Sequence, residues 1–228
     1  MLNGAHHGDE PLSSDIVLDA METRCLHFGG DVVFHLAPGD GAGTWGVRRD
    51  VDLVEAQFFE EGAGFVEVGA GFAWAAKYRK TDQVSLTYFG EAAANIGAFH
   101  EALNMAGLWK LPAIFIIENN EFAMGTRLEY HAADTELWKR GLPFGIKSER
   151  VDGMDVLQVA KDAKRIVDYV RTEGKPYLVE IMNYRFSGHG AADNDRALYR
   201  TKAEEDENMK RDPIARLEEV LIERNIMT

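Results

Sequence analysis

Leu86–Thr126 reads LTYFGEAAANIGAFHEALNMAGLWKLPAIFIIENNEFAMGT. Together with the two residues before it, this stretch decides the fold class. VSLTYF, Val84–Phe89, is rich in β-branched and aromatic residues and is expected to be a buried strand. Across Ala92–Trp109 the apolar residues recur at helical spacing, with Ile96, Phe99, Leu103 and Ala106 on one stripe. Pro112 ends that pattern, because proline lacks the N–H that a helix needs. AIFII, Ala113–Ile117, is the next strand. A strand–helix–strand unit of this kind implies two parallel strands joined by a right-handed crossover.

Ligands in such sheets sit beyond the carboxyl ends of the strands. Gly90-Glu91-Ala92 follows the first strand directly, and Glu118-Asn119-Asn120 follows the second. Between Ala92 and Asn119 lie 26 residues, positions 93 to 118, which is one crossover. A carboxylate and an amide oxygen at neighbouring strand ends can share a hard cation such as Mg²⁺, which takes oxygen ligands and often bridges protein to phosphate. Free N–H groups at the start of the following helix suit a diphosphate.

Working outward, Gly69–Tyr78 (GAGFAWAAKY) is helix-compatible, and its small residues permit close packing. Val156–Arg171 is an amphipathic helix that Gly174 ends. Tyr177–Met182 (YLVEIM) is a further strand. Asp212-Pro213 opens a last helix, with Asp212 as N-cap and Pro213 at the first position. Ile214, Leu217 and Leu221 are its expected buried stripe. The whole reads as an α/β protein with a mainly parallel sheet flanked by helices.

Residues 1–57 read differently and are set apart as an N-terminal segment, with 58–228 as the main domain. Met1–Ser14 is a polar arm, and Ile16–Phe28 suits a short helix with Ile16, Ala20 and Cys25 on one side. Asp31–Leu36 suits a short strand, and Pro38–Gly43 a loop in which Gly39-Asp40-Gly41 is a turn. His27 and His35 match no metal-ligand spacing and are assigned to packing. The 228 residues carry 38 acidic and 25 basic side chains, a net charge of −13. That excludes a general nucleic-acid binder, which needs a basic face. Cys25 is the only cysteine, so no intrachain disulfide can form. The longest apolar run, Leu111–Ile117, is too short to span a bilayer.

From Gly64 onward the chain resembles the alpha subunit of the thiamine-diphosphate-dependent 2-oxo acid dehydrogenases of the pyruvate dehydrogenase type. The family signature runs Gly-Asp-Gly, a gap in the mid-twenties, then Asn-Asn. Here it stands as Gly90-Glu91-Ala92 and Asn119-Asn120. The resemblance extends through Leu86–Thr126, WKRG at Trp138–Gly141, RVDGMD at Arg150–Asp155, Tyr184-Arg185, GHG at Gly188–Gly190, YRT at Tyr199–Thr201 and DPI at Asp212–Ile214.

It implies a three-layer α/β/α thiamine-diphosphate-binding fold, with thiamine diphosphate and Mg²⁺ as cofactors. It implies Glu91, the Asn120 amide and the Phe122 carbonyl as metal ligands. Gly90, Glu91, Ala92, Ala93, Asn95, Asn120 and Arg185 are implied as the cofactor-binding set, and His189 as the catalytic residue of the active-site loop. It also implies a beta-type partner subunit in a heterotetramer or larger complex, oxidative decarboxylation of a 2-oxo acid with acyl transfer to a lipoyl group, and a mitochondrial-matrix or bacterial-cytoplasmic location.

The sequence departs from the family pattern at four places. Glu91 stands for aspartate and is one methylene longer. Ala92 stands for glycine, which matters if the backbone there needs positive φ. Ser187 and Gly190 replace members of the His-Gly-His-Ser loop. The long N-terminal region of the family is not recognisable. These departures define an alternative, a catalytically degenerate relative kept as a structural or assembly subunit. A Glu91 side chain turned away from Asn120 would favour that alternative.

Overall fold

The two apolar runs on either side of Ala92–Trp109 become the centre of a five-stranded parallel sheet. The computed structural model describes residues 25–28, 32–35, 53–57, 64–189, 193 and 196–227. Strand β3 (Leu53–Gln57) leads to helix α1 (Gly64–Arg79), then β4 (Val84–Gly90), α2 (Gly97–Trp109) and β5 (Ala113–Asn119). After a small hairpin, β6 (Phe122–Ala123) and β7 (Thr126–Arg127), a 3₁₀ segment over Leu137–Phe144 leads to β8 (Lys147–Asp152). Helix α3 (Val156–Glu173), β9 (Tyr177–Met182), α4 (Lys202–Met209) and α5 (Pro213–Glu223) complete the chain. The sheet order is β3-β4-β5-β9-β8, every pair parallel. Strand β3 lies before position 58 and is hydrogen-bonded to β4, so the sheet begins upstream of the division drawn between residues 57 and 58.

Alternation along β4 and β5 separates two cores. Phe89, Ala113, Phe115, Ile117 and Leu178 face α1, α2 and the 3₁₀ segment. Leu86, Tyr88, Ile114, Ile116 and Val179 face α3. The result is the expected three-layer α/β/α arrangement. Close packing depends on glycine at two points. A Cβ on Gly69 of α1 would lie 1.8 Å from Thr87 Oγ1 of β4. A Cβ on Gly107 of α2 would lie 2.5 Å from the Phe144 carbonyl. Helix α3 is capped as expected, by the Asp155 side chain at its start and by left-handed Gly174 at its end. The Asp212 side chain accepts from the Ile214 N–H, with Pro213 opening α5.

Three expectations are corrected. Cys25–Phe28 is a strand, β1, paired antiparallel with β2 (Val32–His35), rather than the end of a helix. The short runs CLHF and VVFH flank a Gly-Gly sequence, and hairpin pairing outweighs a helical stripe of only three residues. The rest of Ile16–Phe28, the arm Met1–Ser14 and the Pro38–Gly43 loop lie outside the described residues. Ala92–Trp109 is not one helix: Ala93–Asn95 forms a 3₁₀ turn, Ile96 is extended, and α2 starts at Gly97. Asn95 uses its side chain elsewhere and Gly97 is a poor helix former, so the helix cannot run through. On α5, Leu221 is buried and Leu217 packs partly, but Ile214 is 74% exposed. It occupies the first turn of α5. No described helix is long and apolar enough to cross a membrane.

Candidate active site at the strand ends

Parallel pairing sets Gly90 beside Glu118, so the segments after β4 and β5 emerge together at one edge of the sheet. Glu91 is 2% exposed, and its Oε2 lies 3.4 Å from Asn120 Nδ2. Burial raises the Glu91 carboxyl above its ordinary pKa. Its own N–H and that of Asn120, then the Arg185 and His189 charges, pull it back down. The carboxylate therefore faces Asn120, and the extra methylene relative to aspartate does not turn it away. The Asn120 Oδ1 atom is buried and has no hydrogen-bond partner. An orphaned amide oxygen costs about 1–3 kcal/mol. Rotating the amide by half a turn would set Oδ1 beside Glu91, giving two convergent oxygens.

Ala92 sits at φ −67° and ψ −35°, ordinary right-handed geometry, so its Cβ adds no backbone strain where the family has glycine. Among the described residues, neither the Ala92 nor the Ala93 N–H has a backbone acceptor. Asn95 is engaged at both ends: Oδ1 accepts from Arg140 Nη2 at 2.7 Å, and Nδ2 lies 2.8 Å from His131 Nδ1.

The turn after Asn120 is tight, with Glu121 at φ 66° and Met124 at φ 53°. Non-glycine residues hold left-handed geometry only where neighbours enforce it. The Asn119 side chain does so: its Oδ1 accepts from Glu121 N–H at 2.8 Å and its Nδ2 donates to Glu180 Oε1 at 2.6 Å. Glu180 is fully buried and also accepts from Trp138 N–H and from Nε and Nη2 of Arg150. Arg185 donates to the carbonyls of Phe122 (3.3 Å) and Met124 (2.6 Å) and to Tyr199 Oη. Asp193 accepts from the His189 N–H (2.7 Å) and from Tyr199 Oη (2.6 Å). Those two bonds, the backbone N–H first, hold its carboxyl below the usual range. Buried Arg200 lies over the Phe122 and Tyr184 rings and donates to the Asn120 and Arg185 carbonyls.

The structure thus brings Gly90, Glu91, Ala92, Ala93, Asn120, Phe122, Arg185 and His189 to one edge. It places the Asn95 side chain in contact with protein groups instead. Reading the sequence did not single out Arg140, His131 or Glu180 as site residues. A glutamate inside YLVEIM was a usable signal, since a carboxylate in a buried strand must be paired. A cleft of about 490 Å³ opens beside Asn120, with Arg127, Arg150, Asp152, Asn183 and Tyr184 among its walls. Among the described residues no group of three or more His, Cys, Asp or Glu forms a metal cluster. Any cation here would rest on one carboxylate with amide and carbonyl oxygens.

Glu118 adds a pH-dependent cost. Burial of its carboxyl, then the nearby Glu91 charge, push it up to about 7. Its folded pKa lies above its unfolded value, so its contribution is most favourable at low pH and is lost as pH rises through about 7. In the metal-free chain, Glu118→Gln should flatten the fall in stability between about pH 4.5 and 7. Its gain over wild type at pH 8 should be on the order of 2–3 kcal/mol. Urea denaturation at pH 5 and pH 8 measures this, and an unchanged pH slope refutes it.

The fold is a three-layer α/β protein that presents an acid, an amide and backbone N–H groups without backbone acceptors at neighbouring parallel strand ends. The chain belongs to the family described as Dehydrogenase E1 component, whose model matches residues 47–228. It is 39% identical over 160 residues to the pyruvate dehydrogenase E1 component subunit alpha of Rickettsia bellii, covering 70% of this chain and 48% of that one. To the same subunit of Rhizobium meliloti it is 43% identical over 164 residues, 72% of this chain and 47% of that one. To the somatic, mitochondrial form from Bos taurus it is 46% identical over 162 residues, 71% of this chain and 41% of that one. The chain spans about half the length of the curated relatives it matches.

Proposed function

We propose that this chain is an alpha-type subunit of a thiamine-diphosphate-dependent 2-oxo acid dehydrogenase, acting on pyruvate or a close analogue with a beta-type partner. Its setting would be the bacterial cytoplasm or the mitochondrial matrix. The observation that carries the reading is the buried Glu91 carboxylate turned toward Asn120, whose Oδ1 lacks a partner. That donor set fits a hard cation, with Mg²⁺ the choice beside phosphate oxygens. Glu91, Asn120 Oδ1 and the Phe122 carbonyl would hold it. A carbonyl oxygen has two lone pairs, so Phe122 can accept from Arg185 and still face a cation.

When bound, thiamine diphosphate would supply the nucleophile and electron sink for decarboxylation, with the disulfide of a lipoyl group as oxidant and acyl acceptor. The chain's own residues bind and orient. The Ala92 and Ala93 N–H groups would receive diphosphate oxygens, and Arg185 offsets their charge. His189 is held through its backbone N–H by Asp193, and its imidazole would orient substrate. Asp193 in turn is fixed by Tyr199.

The test is a calorimetric titration of Mg²⁺–thiamine diphosphate into the chain with its beta-type partner, beside Glu91→Asp, Ala92→Gly. The native chain should bind in the micromolar range or tighter, within about tenfold of the revertant, a difference of ~1.4 kcal/mol. Binding by the revertant alone would overturn the reading in favour of a non-catalytic role.

A further inference from the structure

The turn that carries Glu91 has little to hold it from within. Glu91-Ala92-Ala93-Ala94 offers no polar side chain beyond the carboxylate itself. Its shape rests on three i→i+3 backbone bonds of 3.1–3.3 Å, from Ala94, Asn95 and Ile96, and no side chain caps its start. Short 3₁₀ turns of this kind have poorer hydrogen-bond geometry than an α-helix. Yet Glu91 must keep one position if it is to share a ligand with Asn120.

The turn is gripped from outside. Arg140 Nη1 donates to the Ala94 carbonyl and Nη2 donates to Asn95 Oδ1. A guanidinium only donates, so the Asn95 amide is fixed with its oxygen toward Arg140 and its nitrogen toward His131. Asn95 Nδ2 then donates to His131 Nδ1, which places the imidazole proton on Nε2. Arg140 itself comes from a rigid support. Its 3₁₀ segment buries Leu137 and ties Trp138 N–H to Glu180, and Gly107 lets Phe144 approach α2.

Resting on the cofactor reading above, we propose that Arg140, Asn95 and His131 form a positioning clamp that fixes the Glu91–Ile96 turn in its ligand-binding shape. Asn95 is then a positioning residue rather than a direct cofactor ligand. Arg140 does its work through the turn, without touching the reacting atoms. The planar fork matters, because two parallel bonds to one turn resist rotation in a way that a single ammonium contact does not.

Hydrogen exchange of the full 228-residue chain, read by mass spectrometry, tests the clamp without any ligand. Arg140→Ala should speed exchange of the amides of Ala94, Asn95 and Ile96 about tenfold or more, a loss of roughly 1.4 kcal/mol of local protection. Arg140→Lys should recover part of that protection. The control is Arg165→Ala, which removes an arginine equally bonded to Glu149 and Asp162 and should leave this turn unchanged.

In the complex with the beta-type partner, Arg140→Ala should also weaken Mg²⁺–thiamine diphosphate binding about tenfold or more. Unchanged exchange at 94–96, or a rise spread over the whole chain, overturns the clamp. So does faster exchange at 94–96 with unchanged affinity. If the native complex binds no cofactor, the cofactor reading falls, and the clamp as a holder of this turn is judged on exchange alone.

Discussion

Glu180→Ala is expected to lower unfolding free energy by about 3–5 kcal/mol, the usual cost of removing one partner from a buried charged pair. At this chain length that corresponds to a fall in melting temperature on the order of 10 °C. The size follows from what is stranded. Trp138 N–H and Asn119 Nδ2 lose their acceptor, and Arg150 loses a two-pronged partner while its Nη2 keeps only the Thr135 carbonyl. Asn119 is then free to rotate, and the left-handed Glu121 loses the bond that enforces its geometry. Glu180→Gln keeps the shape and one acceptor oxygen, so it should lose roughly half as much. Calorimetric melting of both variants decides it. A Glu180→Ala protein melting within 2–3 °C of wild type, about 1 kcal/mol, would show that the network is not structural.

The second large effect is functional. Asn120→Ala removes the orphaned amide oxygen and the group opposite Glu91. On the proposed function, the complex with a beta-type partner should lose at least a thousandfold in decarboxylation of a 2-oxo acid, about 4 kcal/mol in transition-state stabilisation. Stability should change little, because Nδ2 makes only a 3.4 Å contact and Oδ1 makes none. Full activity in Asn120→Ala would remove Asn120 from the site, whatever its position in the fold.

Elements whose pattern is local were legible in the sequence. Val84–Phe89, Ala113–Ile117 and Tyr177–Met182 announce themselves as apolar strands because both faces are covered. The edge strand Lys147–Asp152 carries one buried residue, Val151, among charged neighbours, so nothing in KSERVD signals pairing. Strand Leu53–Gln57 is likewise not legible, since Glu55 and Gln57 break its apolar run. In the site, residues at strand ends could be found because crossover spacing marks the two strand ends and the family resemblance picks Glu91 and Asn120 from them. Arg140 and His131 reach Asn95 from 45 and 36 positions away, a proximity that only tertiary packing creates. The break at Ile96 belongs to the same set. The helical stripe runs through it without interruption; Gly97 is a weak signal in the sequence, and the side-chain bonds of Asn95 appear only in the fold.

The insertion of β9 between β5 and β8 also has a bearing on how the molecule is made. The Asn119–Glu180 bond joins residues 61 positions apart, and the β5–β9 ladder beneath it cannot form until β8 and α3 have been synthesised and looped back. Loop closure of that span must be met before any of its contacts is gained. Pairings of this kind slow folding and come late in it. The two halves of β4–β5 can assemble first from nearer neighbours, leaving the turn at Asn120 unset. On the ribosome and in refolding alike, the site should be among the last features to appear, and nascent chains released before Met182 should be targets for chaperones and proteases.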